Sequence, residues 1–183
     1  MVCQNLQPIA GELWRLVRRQ HGVLTRAQLL AHGIKRQSIA HRVKFGRLHP
    51  VHAGVYAVGR RDLSRLGEVT AAVLACGEEA VASHGTAAEL WGFGPRSRLE
   101  VTVPPGRCPR RPGIVVHRAA LADRHRTVRH GIPVTTPART LVDLAPDRSV
   151  EHLERAVNEA DRLDLTTPTS CARASPSCRA YTA

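Results

Sequence analysis

Residues 22–46 read GVLTRAQLLAHGIKRQSIAHRVKFG, and two helix signals stand in them almost back to back. Thr25-Arg26-Ala27-Gln28 has the form of a capping box: the Thr oxygen accepts from an open amide of the first helical turn, and the Gln side chain reaches back to the cap. A short helix is predicted from Arg26 to about His32. Gly33 ends it, because the left-handed turn required there is costly for a residue with a side chain. A further helix follows at once, roughly Arg36 to Phe45, with Ile39 and Val43 one turn apart on its inner side and Gly46 as its stop. At about 100° per residue, Gln37, His41 and Lys44 then point away from the core. Arg36 stands at the N-terminal end of that helix, the end that helix-turn-helix proteins push into the major groove.

On the N-terminal side, Ile9, Leu13, Leu16 and Val17 recur at helical spacing and leave Arg15, Arg18 and Arg19 outside, which predicts an amphipathic helix over Ile9–Gln20. His21-Gly22-Val23-Leu24 reads as a break after it. On the C-terminal side, Arg47–Val51 and Gly54–Val58 read as two short strands around His52-Ala53-Gly54, a β-hairpin where a wing would stand. Three helices with a tight second connection, then a hairpin, is the order of a winged helix-turn-helix. The charge agrees with it. The chain's net charge is +12, yet residues 1–61 hold 11 Lys and Arg against one acid, Glu12, whereas residues 62–183 hold 16 against 14. A surplus confined to one short folded segment points to a polyanion, since each cation set against a phosphate releases condensed counterions.

Residues 62–165 read as a second, mixed α/β domain, so the fold class is α+β. A helix is expected over 66–76, with Leu66, Val69, Ala72, Val73 and Cys76 inward, then a strand at Ala80-Val81-Ala82 and a short helix from Thr86 to Trp91. Gly92-Phe93-Gly94-Pro95 punctuates a turn. Leu99–Val103 and Ile114–His117 read as strands, joined by a Pro/Arg/Gly-rich loop (Pro104 to Gly113) that could close a hairpin. A third apolar run spans Gly131 to Val134. Thr136 and Pro137 start a helix through Leu144, and Ser149 caps a last one through about Leu163, with Leu153, Val157 and Ala160 on its inner stripe. Residues 166–183, made of Thr, Pro, Ser, Cys, Ala, Arg and a single Tyr, offer nothing to pack as a core. They are read as a disordered tail, such as a frameshift in a GC-rich gene would leave.

Catalytic and metal-binding patterns are weak by this reading. Ser83-His84, with Asp123 or Asp143, supplies triad residue types, but adjacent Ser and His do not readily face one another and no G-x-S-x-G elbow exists; a capping Ser and an ordinary His are expected. His41, His49 and His52 suit phosphate or base contacts better than a metal. Gly92-Phe93-Gly94 lacks the third glycine of a dinucleotide fingerprint. The five cysteines show no C-x-x-C pair, which argues against a zinc ribbon or a disulfide framework. Trp14 and Trp91 read as core anchors. No metal or cofactor is expected, and no enzymatic activity.

Five stretches are very similar to AbiEi-type antitoxins of actinobacteria. They are Gly22–Leu29 with Gly46–Gly59, then Ala82-Ser83-His84 with Ala87–Gly92, and finally Pro133–Leu144. The resemblance covers about residues 10–165. It implies an N-terminal winged helix-turn-helix that represses its own operon, as the antitoxin of a type IV toxin–antitoxin pair whose toxin resembles a nucleotidyltransferase. Many relatives continue into a domain similar to very-short-patch-repair endonucleases. Such a nuclease would need an acidic pair and a lysine downstream, and no lysine follows Lys44. Where relatives tend to carry a capping Ser before the third helix, this sequence has Lys35.

The leading expectation is thus an autorepressor and antitoxin that binds its own operator as double-stranded DNA. The residues expected at that DNA are Arg26, Lys35, Arg36, Gln37, His41, Lys44, Arg47 and His52. The second half is expected to serve the antitoxin role. Two alternatives stay open: the remnant of a DNA-binding endonuclease-like protein, and an interaction module that grips a toxin without DNA. A homodimer is also left open. No apolar run approaches the roughly 18 residues a membrane span needs, and the first residues lack a signal-peptide core, so no membrane partner and a cytoplasmic location are expected.

Overall fold

The computed structural model describes residues 9–106, 109–166 and 174. The expected tail, apart from Thr166 and Ala174, lies outside these residues, as do Cys3, Cys108, Cys171 and Cys178. The chain divides into two compact units, Met1–Ala75 and Cys76–Ala183.

In the first unit α1 spans Ile9–Arg19, α2 Arg26–Ala31 and α3 Arg36–Lys44. The capping box is formed as the sequence dictates: Gln28 N donates to Thr25 Oγ1 at 3.1 Å and Thr25 N to Gln28 Oε1 at 2.9 Å. Gly33, at φ +78°, makes the turn between α2 and α3. Val23 and Leu24, expected in a break, instead join the capping Thr25 in a strand, β1 (Val23–Thr25). It pairs antiparallel with β3 (Val55–Val58), which pairs in turn with β2 (Leu48–His52). Three residues are too few for periodicity to mark a strand, and Val23 and Leu24 are both buried. Pairing Thr25 with Val55 decides it. Pro50 sits in β2, an edge strand, where its missing N–H costs no ladder bond, and the register shifts between Pro50 and His52. Val17, Leu24, Leu29, Ile34, Ile39, Leu48 and Tyr56 form the core, with Leu13, Leu16, Val43 and Val58 packed against it. Fully burying one such aliphatic side chain stabilises by roughly 1.5–3 kcal/mol. Trp14 is a correction: it is 55% exposed. One turn along its column lies Arg18, also exposed, so its angle on α1 outweighs its size. The unit closes with α4 (Arg65–Cys76), along which Val69, Ala71, Ala72 and Val73 are buried.

The second unit is built on a five-stranded mixed sheet. Its strands are β4 (Val81–Ala82), β5 (Leu99–Val103), β6 (Ile114–Arg118), β7 (Arg126–Arg129) and β8 (Ile132–Thr135), in the order β6-β5-β4-β8-β7. β5 and β6 run parallel, so the 104–113 segment is a return crossover and not a hairpin tip. Ten residues reach about 33 Å when extended, ample to run back along a five-residue strand. β7 was not anticipated. It forms a true hairpin with β8 through His130 and Gly131, both at positive φ (52° and 74°), as tight primed turns require. α5 (His84–Trp91), α6 (Pro137–Leu144) and α7 (Val150–Arg162) supply the second layer. Ala88, Phe93, Leu141, Leu144, Ala156 and Ala160 form its core, joined by Trp91, Leu153 and Leu165. Trp91 is an anchor with a polar handle: Nε1 donates to Thr135 O at 2.9 Å, and the Arg129 guanidinium lies 5.1 Å from the ring centroid. Val157, expected inward, is 41% exposed, and Ala156 takes its place on the inner face of α7. Cys76 is a buried thiol, as expected; burial pushes its pKa up, partly offset by Arg111. Among the described residues no helix is long and apolar enough to cross a membrane.

Candidate nucleic-acid interface

α3 carries the candidate surface. Ile39 is buried and Val43 packs on the core, which fixes the rotation of the helix. Positions 36, 37, 40, 41 and 44 then fall on one outer face. Arg36, Gln37, His41 and Lys44 are all exposed there. Lys35 is the N-cap residue, in extended conformation and without a capping side-chain hydrogen bond. A lysine has no acceptor to offer an amide, so the first amides of α3 are not covered by a side chain of their own. Arg47 follows the helix. Its N–H donates to Arg42 O at 2.8 Å and its carbonyl accepts from Gly59 N at 3.0 Å, which sets it at the base of the hairpin.

Arg26 and His52 belong together elsewhere, at the hairpin turn. Arg26 N donates to Gly54 O at 2.7 Å, and His52 pairs with Val55, which also pairs with Thr25. Arg26 is exposed and His52 half-buried. The eight residues therefore fall into two groups: the α3 face with its flanks Lys35 and Arg47, and the wing turn. Phe45 was missed. It is 60% exposed and its ring centroid lies 4.3 Å from that of His41. The i,i+4 spacing of His41 and Phe45 was the available signal.

A second cluster, in the other unit, was also missed. His84 opens α5 at a left-handed φ of +49°, a conformation that costs a residue with a side chain roughly 1–2 kcal/mol. Its Nδ1 lies 3.0 Å from Ser83 Oγ, so the neighbouring Ser and His do face each other, contrary to expectation. Ser83 does not cap α5 with its side chain. It is fully buried, and its Oγ accepts from Thr102 Oγ1 at 2.8 Å. The acid beside His84 is neither Asp123 nor Asp143; Asp143 pairs with Arg139 at 2.7 Å. It is Glu100, on β5. His117, on β6, holds Nε2 3.0 Å from Glu100 Oε2 and stacks on His84, ring centroids 3.6 Å apart and planes 12° from parallel. Thr86 ties α5 to the strand by donating to Arg98 O and accepting from Glu100 N. A side chain at position 85 would come within 2.9 Å of Ser97, so glycine there permits the close approach. Burial pushes the Glu100 carboxyl up, but the His117 hydrogen bond and the nearby His84, His117 and Arg98 charges outweigh it and hold its pKa below the usual value.

A three-helix module with a sheet-backed wing, joined to a mixed α/β unit, defines a two-part protein of the winged helix-turn-helix regulator class. Residues 13–59 match the family described as "Transcriptional regulator, AbiEi antitoxin", and residues 73–180 match the "AbiEi antitoxin C-terminal domain". The chain belongs to the AbiEi antitoxin family of transcriptional regulators. Two uncharacterized Mycobacterium tuberculosis proteins, MT2308 of strain CDC 1551 / Oshkosh and Rv2248 of strain ATCC 25618 / H37Rv, are each 37% identical to it over 112 residues, 60% of this chain and 40% of theirs. The chain thus spans about two fifths of the length of these curated relatives. The crystal structure of the RV2827C protein from Mycobacterium tuberculosis is 19% identical, with a TM-score of 0.43, over 90% of this chain and 73% of that one.

Proposed function

We propose that the chain is a DNA-binding autorepressor that serves as the antitoxin of a type IV toxin–antitoxin pair, inserting α3 into the major groove of its own operator. The observation that carries this reading is the exposed row Arg36, Gln37, His41 and Lys44 on the outer face of α3, in a segment with 11 basic residues and one acidic one. Arg36 and Gln37 stand at the N-terminal end, where base edges are read: arginine pairs with guanine and glutamine with adenine through two hydrogen bonds each. Lys44, Arg47 and the wing residues Arg26 and His52 serve the phosphates, and Lys35 stands beside the uncapped amides of the helix start.

In this reading residues 1–61 carry DNA binding. Residues 62–165 carry the antitoxin role, with a nucleotidyltransferase-like toxin as protein partner. The protein acts in the cytoplasm and catalyses no reaction of its own. Fluorescence anisotropy of the purified chain on labelled DNA from its own upstream region, against a shuffled duplex, tests the proposal. Tighter binding to the upstream duplex is expected. Equal affinity for both duplexes, or none for either, would overturn it.

A further inference from the structure

We propose that His84, Glu100 and His117 form a binding site for a borderline-soft divalent transition metal of the zinc class, with two imidazoles and one carboxylate as protein ligands and a fourth position left to water or an outside donor. One ligand atom from each of the three residues lies within 4.8 Å of the other two. One pair, His117 Nε2 and Glu100 Oε2, is already 3.0 Å apart. Around a tetrahedral zinc with bonds of about 2.0–2.1 Å, ligand atoms stand about 3.3 Å apart, so closing the set brings atoms now within 4.8 Å together by up to about 1.5 Å and requires the two rings to turn toward a common point. Two nitrogens and one oxygen suit zinc-like ions and not calcium or magnesium, which take oxygen shells. Three protein ligands with an open fourth place are the pattern of an exchangeable zinc, not of a closed structural one.

The surroundings are those of a metal site. Ligand imidazoles are oriented by a hydrogen bond at their other nitrogen, and His84 Nδ1 has that contact in Ser83 Oγ, itself buried and fixed by Thr102. This assigns Nε2 of His84 to the metal. The Glu100 side chain is only 6% exposed and that of His117 26%, so the carboxylate is desolvated while one side stays reachable. The parallel rings send their lone pairs side by side and not to one point. A metal must therefore splay the stack, and that movement is itself observable. The proposal does not rest on the DNA-binding reading, since every residue in it belongs to the second unit.

The test uses the full chain stripped with a chelator and titrated with Zn2+ and, separately, Co2+. One metal per chain is expected, with the visible Co2+ bands of a four-coordinate nitrogen and oxygen site. His84→Gln and His117→Gln should each weaken binding by more than the roughly 10–100-fold that loss of an orienting partner costs, while His152→Gln, on the exposed face of α7, leaves metal affinity unchanged. Should either variant lose its near-ultraviolet circular dichroism, the unmodified chain decides. In its histidine-ring NMR spectrum, the signals of His84 and His117, out of ten histidines, are expected to shift with Zn2+ and to lose their mutual ring-current displacement. No binding, a cobalt spectrum dominated by thiolate charge transfer, affinity unchanged in both folded variants, or ring shifts at other histidines would each overturn the proposal.

Discussion

The two units differ in how far apart along the chain their decisive residues lie. In Met1–Ala75 the helices are set by neighbours. Thr25 meets Gln28, Gly33 turns α2 into α3, and Ile39 and Val43 fix the rotation that exposes the α3 face. In Cys76–Ala183 the decisive pairs are remote. Glu100 meets His117 seventeen positions on, Trp91 binds Thr135 forty-four positions on, and β5 pairs parallel with β6. Their charge differs in the same way, one-signed in residues 1–61 and nearly balanced beyond. A one-signed surface acts at long range on any polyanion, whereas a balanced unit recognises partners through particular contacts.

That contrast in charge breaks or stands on salt. If the first unit neutralises several phosphates, the log of DNA affinity falls with the log of salt with a slope of about −0.9 per contact, and six to ten contacts lose roughly 10³–10⁵-fold between 50 and 200 mM. Lys44→Ala and Arg47→Ala should each lower the slope by about one contact. Arg155→Ala, an exposed change on α7, should leave it alone. An anisotropy series in which all three behave alike would remove the charge asymmetry as an explanation of binding.

Packing supplies the next largest effect. Leu29, 1% exposed in the first core, should cost about 2–5 kcal/mol when cut to alanine. Val157→Ala on α7 should stay within about 0.5 kcal/mol, because that side chain is 41% exposed. Urea denaturation measures both. A large loss at Val157 would restore it to the inner stripe that its helical spacing suggested.

The errors follow the same division. In the first unit the winged helix-turn-helix is legible in the sequence down to the capping box and the hairpin, and the differences are the strand where Val23-Leu24 suggest a break and the exposure of Trp14. In the second, helix starts at Thr136 and Ser149 were legible because cap and proline signals are local. The direction of β6 was not, since a ten-residue loop can turn back or cross over and only pairing decides. The His84–Glu100–His117 cluster was illegible for a like reason: its members sit on a helix start and two strands, and no spacing rule joins positions 84, 100 and 117. His84 was weighed with the wrong acids, Asp123 and Asp143, because the sequence does not show which strand faces α5.

Within the first unit, base reading and phosphate binding separate at about 1–3 kcal/mol. Arg36→Ala or Gln37→Ala should shrink the ratio of operator to shuffled-DNA affinity by roughly 5–150-fold in keeping with that range, while Lys44→Ala or Arg47→Ala weakens both and leaves the ratio nearly unchanged. Competition anisotropy reads the ratio directly. Were the ratio to move with the wing residues Arg26 and His52 instead, the hairpin and not α3 would be the recognition element.

The smallest effect compares two residues that look alike in sequence. Thr25 and Ser149 are both hydroxyl residues at a helix N-cap, and both were read as caps. Thr25 is one: it accepts from Gln28 N, and Gln28 closes the box. Ser149 occupies the N-cap of α7 but makes no capping bond with its side chain; its Oγ lies 2.8 Å from His152 Nδ1 on an exposed face. Losing a working cap costs about 0.5–2 kcal/mol, because an amide of the first turn loses its acceptor. Losing a surface hydroxyl bonded to a solvated imidazole costs far less, since water replaces the partner. Thr25→Ala should therefore lower stability by about 1 kcal/mol, and Ser149→Ala by no more than a few tenths. Matched urea titrations of the two variants decide it. Equal losses would mean that Ser149 turns to the α7 amides in solution, and that the cap signal in the second unit is as informative as in the first.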